Sequence, residues 1–283
     1  MNLSDKALLV QLNISQWTAR RLDKRATQQV AASNNASDAA GRYNKSLLPA
    51  NNALDLIHKK TTSIRNKFYT NTLPWGMEGI QILPNSNYFE FMSEFSREKN
   101  EWNSLVADFI THYDTAKETA KQHLGSLFSE DDYPSLETLR SKFRIGLSVM
   151  PVPSSDFRTQ LASSEVEKIQ QQVADQLKAA QRAAMKELWA RLHSKVKHMA
   201  DKLTDESAIF KNSLVENVRE QCAMLTRMNF ADDQDIDLIR GEVTQLLTAY
   251  DADELRVNPT VRRTVAADAR NISDKMAVFM GAL

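Results

Sequence analysis

A short acidic run has the spacing with which proteins bind calcium. Asp233, Asp235 and Asp237 alternate with other residues, as carboxylates do at the start of a calcium-binding loop. Such a loop also needs glycine at its sixth position and glutamate at its twelfth, where this chain has Leu238 and Thr244. We therefore interpret the run as the acidic start of a helix, where the helix dipole favours negative charge.

The histidines and the single cysteine do not have the spacing of a metal site or a catalytic site. His193 and His198 are five residues apart and would point to different sides of a helix. His112 and His123 would share a face but lie about 16 Å apart along the axis, too far for one ion. We expect surface histidines, and we expect Cys222 to be a small buried apolar side chain. No metal, cofactor or catalytic residue is predicted.

Two features have the residue types that contact phosphates. Gly76 and Gly79 give one turn the outline of an RNA-binding KH loop, but its Met-Glu centre is unsuited to clamping phosphate. The densest basic cluster is Arg20, Arg21, Lys24 and Arg25. Because no aromatic residues interleave and the pI is near 7.0, we favour a solvated face or a docking surface for an acidic helix. The C-terminal arginines are interpreted in the same way: Arg256, Arg262 and Arg263.

Trp75 is the best single candidate for contacting a partner. It lies in a loop that contains two of the seven prolines and two of the seven glycines. Loops usually lie on the surface, and tryptophan is a strong anchor in interfaces. The alternative is that the ring folds back and closes the end of a helical bundle.

The rest of the sequence shows which elements must position these residues. The 283 residues contain only 7 Gly and 7 Pro, so we expect few turns and long elements. Abundant Ala, Gln, Lys, Glu and Leu favour helices. We therefore expect an all-α fold, a single elongated bundle over residues 1–283, with a possible short N-terminal strand where Val10, Leu12 and Ile14 alternate with polar residues.

Two long helices are predicted, at about 85–124 and 163–203, with shorter helices beside them. Large apolar residues in the first recur with a period of 3.5, which favours a coiled-coil partner. The second begins at a capping box formed by Ser164 and Glu167. Its apolar stripe has an average period of 3.7, which lies flat or coils slightly to the right.

Three sub-regions follow from this pattern. Residues 1–70 form basic N-terminal helices, residues 71–162 contain the Pro/Trp loop, the first long helix and a connecting region, and residues 163–283 form the second long helix and the C-terminal helices. Within the first sub-region, residues 31–38 almost lack large apolar side chains. We expect this segment to bury little surface and to be mobile.

The net charge of zero hides blocks of alternating sign. Residues 1–70 carry 11 Lys and Arg against 4 Asp and Glu, and residues 141–203 carry 11 against 6. Residues 71–140 carry 5 against 12, and residues 204–255 carry 4 against 12. Opposite blocks can pair within one chain or between copies, and we expect a homo-oligomer.

The cellular location is predicted from what the sequence lacks. A single cysteine excludes an intramolecular disulfide, which is typical of a reducing compartment. The N-terminal apolar run is too short for a signal peptide, and no window approaches the roughly 18 apolar residues of a membrane-spanning helix. We expect a cytoplasmic protein that does not act at a membrane.

The middle third of the chain contains Leu73-Pro74-Trp75-Gly76, Ile82-Leu83-Pro84, Tyr88, Leu124-Gly125, Asp132-Tyr133-Pro134 and residues 149–158. Together these segments resemble an uncharacterised helical family encoded by tailed phages and integrative mobile elements. Genes of this family often lie near an AAA+ ATPase and a von Willebrand A-type protein. The resemblance implies a phage or mobile-element protein in a bacterial cytoplasm, with an AAA+ ATPase or a host protein as partner. It implies no activity for any residue.

These observations together predict a non-enzymatic protein that acts by protein–protein interaction, as a self-assembling structural or adaptor subunit. One alternative is a nucleic-acid-binding protein of phage DNA metabolism that uses the basic N-terminal and C-terminal helices; it is possible but less favoured. A helical membrane-active protein is the other alternative.

Overall fold

The computed structural model describes residues 3–49, 51–154 and 163–282, so the last part of the resemblance segment at 149–158 lies outside the described residues. About 70% of the structure is helical. The described residues form eleven α-helices: α1 Leu3–Lys6, α2 Lys24–Ser33, α3 Asn52–Thr70, α4 Tyr88–Thr111, α5 Tyr113–Leu124, α6 Leu136–Lys142, α7 Ser163–Thr204, α8 Ser213–Met228, α9 Gln234–Leu247, α10 Ala252–Val257 and α11 Pro259–Ala282.

The prediction of an all-α fold is wrong, because the described residues also form two sheets. A four-stranded antiparallel sheet has the strand order β4-β5-β1-β6. A two-stranded sheet pairs β2 with β3 in antiparallel orientation. The strands are β1 Ala7–Ser15, β2 Arg20–Leu22, β3 Asn44–Ser46, β4 Leu73–Pro74, β5 Ile80–Pro84 and β6 Arg144–Pro151.

The larger sheet was not predicted because most of the strands that pair in it are distant from each other in the sequence. The expected short N-terminal strand is present as β1, and it pairs with β5 from Ala7 opposite Pro84 to Gln11 opposite Ile80. Within this sheet, the β4–β5 pair is the one joined by a tight turn. Gly76 and Gly79 have positive φ angles of 91° and 76° there, which glycine adopts without strain. Few glycines and prolines therefore limit the number of hairpins but not the presence of a sheet.

The chain divides into two units, each with its own buried core. Unit 1 comprises residues 1–11, 68–92 and 148–283, and unit 2 comprises residues 12–67 and 93–147. One cluster of buried apolar side chains lies in each unit. Each unit is therefore described by itself.

The core of unit 1 is built around the second predicted long helix. That helix is present as α7, and its buried residues run from Ala180 to Leu203. They belong to one apolar cluster with buried residues of α8, α9 and α11. Asp233 caps α9 by accepting hydrogen bonds from the N–H groups of Asp235 and Ile236, at 3.0 and 3.2 Å. The interpretation of the acidic run as a helix start is confirmed.

The core of unit 2 is aromatic and uses the apolar stripe of the first predicted long helix. That helix is interrupted at His112, which has φ −101° and ψ 10° and separates α4 from α5. The stripe itself is confirmed as a core face: Trp102 is 1% exposed and lies in the buried cluster of this unit. Its Nε1–H donates to Thr61 Oγ1 at 2.8 Å, and that hydroxyl donates to Gln16 Oε1 at 2.7 Å. The polar edge of the buried indole is thus satisfied.

Candidate partner-binding site

The predicted basic cluster lies where β2 leads into α2. β2 pairs with β3 so that Arg21 is opposite Lys45. Asp23 then caps α2, because its side chain accepts a hydrogen bond from the N–H of Ala26 at 2.9 Å. The four basic side chains are all exposed: Arg20, Arg21, Lys24 and Arg25.

Lys45 is a buried cation next to this cluster, 6% exposed. Its Nζ lies 2.7 Å from Asp132 and 3.1 Å from Asp23, and it donates to the Leu127 carbonyl at 2.6 Å. Burial lowers the pKa of Lys45, but hydrogen bonds to Asp132 and Asp23 outweigh burial and leave the pKa above its ordinary value. The N–H of Ala26, followed by Lys45, holds the pKa of Asp23 below its ordinary value. The charged form of the cluster is therefore the stable one.

Arg21 also forms an ion pair in this cluster, since its Nε lies 2.9 Å from Asp132. Arg20, Lys24 and Arg25 form no ion pair within the described part of the chain. Three of the four predicted basic residues therefore remain available to a partner. Arg21 and Lys45 instead hold β2 and β3 against the segment that contains Asp132.

A pocket of about 300 Å³ lies between α2 and the chain that follows it. One wall is a single face of α2, and the other is formed by residues 36–43. Thr27 joins the walls, because its hydroxyl donates to the Asp23 carbonyl at 2.7 Å and accepts from the Tyr43 N–H at 3.0 Å. The lining residues are Thr27, Val30, Ala31, Asn34, Ala36, Ser37, Ala40, Gly41, Arg42 and Tyr43.

Small side chains explain why the pocket is open. The segment 31–38, expected to be mobile for lack of large apolar groups, contributes Ala31 and Ala36 to the walls. It is followed by a 3₁₀ turn at Asp38–Ala40, capped by Ser37, whose Oγ accepts from the Ala39 N–H at 3.3 Å. The run of small residues was the available signal in the sequence, but it predicted only a mobile segment that buries little surface.

The rim of the pocket is basic. Arg42 lines it, and Lys24 precedes Thr27 and Ala31 by three and seven residues, on the same face of α2. Lys24 and Arg42 are exposed and form no ion pair with a described residue. Val30 and Tyr43 are 54% and 40% exposed. The arrangement combines an apolar cavity with cations that form no ion pair in the described part of the chain, and it can accept an apolar group that carries negative charge beside it.

The C-terminal arginines have a different role. The guanidinium of Arg262 donates to backbone carbonyls at and beyond the end of α7, at 2.5 to 3.4 Å. It also lies 5.2 Å from the centre of the Phe210 ring, and Arg256 lies 5.5 Å from the same ring. Arg263 is exposed and donates to the Pro259 carbonyl of its own helix at 3.3 Å. Arg262 therefore caps a helix and is not a free surface cation, and its contact with a partner stays a prediction. The carbonyls it binds belong to Lys202, Leu203, Asp205 and Ala208.

Trp75 is 2% exposed and belongs to the core of unit 1. The prediction that it contacts a partner at the surface is therefore wrong, and the alternative, in which the ring folds back into the core, describes the structure. β4 ends at Pro74, so Trp75 lies between this short strand and the Gly76 turn. The exposed apolar residue of this turn is Met77, at 52%.

Two of the residues considered for metal binding and nucleophilic chemistry, His193 and Cys222, have other environments in the structure. In residues 3–49, 51–154 and 163–282, no group of three or more His, Cys, Asp or Glu is arranged to hold a metal ion. His193 Nε2 lies 3.1 Å from the Ser273 hydroxyl. Cys222 is buried as expected, and burial raises the pKa of its thiol.

Opposite charge blocks meet inside the chain where α3 lies against α4 in unit 2. Lys60 pairs with Glu98 at 2.8 Å and also with Glu101, while Lys67 pairs with Glu98 at 2.7 Å and with Glu94 at 2.9 Å. Glu98 is 5% exposed. Positive charge of residues 1–70 is thus partly neutralised by residues 71–140 of the same chain.

No helix within the described ranges is both long and apolar enough to cross a membrane.

The whole chain was compared with family models, with curated proteins and with solved structures. The chain matches no family model, no curated protein and no solved structure. The resemblance to a phage and mobile-element family therefore stays a prediction.

Proposed function

We propose that this protein acts by binding other proteins, as an adaptor subunit, and that the pocket beside α2 is its docking site. The observation that carries the proposal is an apolar cavity of about 300 Å³ that Arg42 lines, with Lys24 one helical turn before the lining residue Thr27 on α2. Neither cation has an ion-pair partner among the described residues. The chemistry of the partner follows: a segment with one large apolar side chain between Asp and Glu residues.

The apolar side chain provides the anchor. A leucine or phenylalanine side chain is smaller than the cavity, and the walls at Ala31, Ala36 and Ala40 leave room for it. Full burial of such a side chain contributes about 1.5–3 kcal/mol. Interfaces commonly depend on a few anchors of this kind that fill a pocket.

The carboxylates of the partner provide steering and orientation. Residues 24–43 carry Lys24, Arg25 and Arg42 against Asp38, a net charge of +2. Exposed ion pairs each contribute about 0–1 kcal/mol and are screened by salt. They mainly accelerate association with an acidic surface and disfavour a basic one.

The cellular context and self-association belong to the same proposal. The family resemblance favours a phage or mobile-element protein in a bacterial cytoplasm, where an AAA+ ATPase or a host protein would present the acidic segment. Self-association is supported by acidic residues of block 204–255 that are exposed and form no ion pair with a described residue, such as Glu216, Glu220 and Asp235.

The test is the binding of defined peptides to the full chain by fluorescence anisotropy. Acidic peptides of about a dozen residues would carry Leu, Phe or Ala at one central position. The comparison shows whether binding depends on a large apolar side chain that can fill the pocket. The Leu and Phe peptides should bind and the Ala peptide should not. Ala31→Trp, which fills the cavity, should abolish binding, and Arg42→Glu should weaken it several-fold. Arg263→Glu, a charge reversal at an exposed arginine of unit 1, is the matched control and should change nothing.

A single-stranded oligonucleotide is the competing probe. Oligonucleotide binding at micromolar protein and low salt, without peptide binding, would replace this proposal with nucleic-acid binding. Peptide binding that is unchanged in Ala31→Trp would show that the pocket is not the docking site.

A further inference from the structure

We infer that the outer face of α9 and α11 in unit 1 is the surface by which two copies of this chain bind each other. The inference rests on the self-association part of the proposed function and names its interface. It concerns helices that take no part in the pocket beside α2. This face has two exposed apolar side chains, a helical glycine and charges of both signs beside them.

The two helices run antiparallel, and this direction places Leu238 and Val278 on the same side of the ion pair between Lys275 and Glu242. Trp189 stacks on Phe279 with ring centres 5.4 Å apart and donates to Asp233 at 3.3 Å, so Asp233 and Phe279 lie at the same end. Further along, Lys275 Nζ lies 2.9 Å from Glu242.

Leu238 and Val278 each lie one helical turn from this ion pair, on the side toward the Asp233 end. They are 68% and 75% exposed. Both side chains project from regular helices, so the exposure is a property of two neighbouring helix faces. Neighbouring exposed apolar side chains of this kind mark interaction surfaces.

Gly241 is one turn after Leu238 on the same face of α9. Glycine in a helix interior is unfavourable relative to alanine. A Cβ built at this position would meet no heavy atom within 4 Å. Packing within this chain therefore does not require glycine at Gly241, whereas a second helix that approaches the bare backbone closely would require it.

The charges on this face favour a second copy as the occupant. Lys275 and Glu242 are 44% and 39% exposed, and they place opposite charges one helical turn from Val278 and Leu238. A two-fold interface brings the same patch from both copies, so a surface with both signs beside an apolar centre is complementary to itself. A uniformly acidic or basic partner would meet like charge at one of these positions.

Light scattering coupled to size exclusion tests the inference on the full chain at low and high salt. The wild-type chain should be a dimer, and Leu238→Glu with Val278→Glu should be monomeric at the same concentration. Val257→Glu is the matched control, because Val257 is 79% exposed on another helix of unit 1. It should remain a dimer.

Gly241→Gln separates loss of the interface from loss of the fold. A residue with better helix propensity should raise the melting temperature of the monomer but increase the dimer dissociation constant at least tenfold. A dimer that survives Leu238→Glu with Val278→Glu, or that is broken by Val257→Glu instead, would overturn the inference alone. A wild-type chain that is monomeric at every concentration and salt would overturn self-association as well, and would leave peptide docking to be judged by its own assay.

Discussion

Replacing Lys45 with Met should strongly destabilise unit 2. The substitution removes a buried ammonium and leaves the Asp23 and Asp132 side chains, which are 14% and 11% exposed, without their shared cation. The Leu127 carbonyl also loses its donor. Breaking a buried ion pair typically costs about 3–5 kcal/mol. Because Arg21 still pairs with Asp132, we expect the lower end, about 3 kcal/mol.

Urea unfolding followed by tryptophan fluorescence measures this effect in one unit at a time. Trp17 and Trp102 lie in the core of unit 2, and Trp75 and Trp189 lie in the core of unit 1. A background with phenylalanine at the two unit 1 positions reports on unit 2 alone. With an m value of about 2 kcal/mol per molar urea, Lys45→Met should lower the midpoint by about 1.5 M.

Arg21→Met is the matched control, because Arg21 pairs with the same carboxylate from a side chain that is 58% exposed. It should cost only about 0–1 kcal/mol. A Lys45→Met chain that is no less stable than the Arg21→Met chain would refute the reasoning. In that case the buried cluster would not be what holds β3 in place, and the charges of Arg21 and Lys45 would have to be reconsidered as part of the interaction surface.

Two further predictions concern a helix cap and a buried glutamate. Arg262→Met should lower the stability of unit 1 by about 1–3 kcal/mol in thermal unfolding, because several carbonyls lose a charged donor. The control Arg263→Met should change the stability by less than about 0.5 kcal/mol. Equal effects of the two substitutions would contradict the capping role. Burial raises the pKa of Glu98, but hydrogen bonds from Lys60 and Lys67 outweigh it and leave the pKa below its ordinary value of 4.5. Glu98 therefore stabilises unit 2 above pH 4.5, and this contribution should disappear as the pH falls through the lowered pKa. Urea midpoints measured between pH 7 and pH 3 should show the loss of this stability. Glu98→Gln should reduce the pH dependence of the midpoint. A wild-type midpoint that does not change with pH would contradict the prediction.

Local signals predicted the helices well. α7 follows from its apolar period, although it begins at Ser163, one residue before the predicted capping position Ser164. α9 follows from the acidic run at Asp233, whose carboxylate accepts from two N–H groups of the first turn. These features depend on residues a few positions apart. Helix interactions of this range are visible in the sequence itself.

Long-range pairing was not predictable in the same way. β1 pairs with β5 between residues that are 69 to 77 positions apart in the sequence, and Ile80–Pro84 is too short a segment for its local pattern to distinguish a strand from an irregular loop. Trp75 was misjudged for the same reason, since its burial depends on distant residues of α7 and the sheet. The salt bridge from Lys45 to Asp132 likewise joins distant positions.

The pocket beside α2 shows a different limit. The small residues from Ala31 to Gly41 were visible in the sequence. Such a run is equally typical of a segment that packs into no core and of a segment that forms the wall of a cavity. The hydrogen bonds of Thr27 decide between them, because they close residues 36–43 over the helix. Lys24 belonged to the predicted basic cluster, whereas Arg42 was not predicted and the cavity itself was not foreseen.

Hydrogen–deuterium exchange with a bound peptide tests the central claim most directly. The full chain would be saturated with an acidic Leu-containing peptide selected by anisotropy, and amide protection would be mapped along the sequence with and without it. The account predicts new protection confined mainly to residues 24–43, absent in Ala31→Trp. Saturated peptide without new protection in residues 24–43, or with protection elsewhere that persists in Ala31→Trp, would contradict the claim that this pocket is where the protein binds its partner.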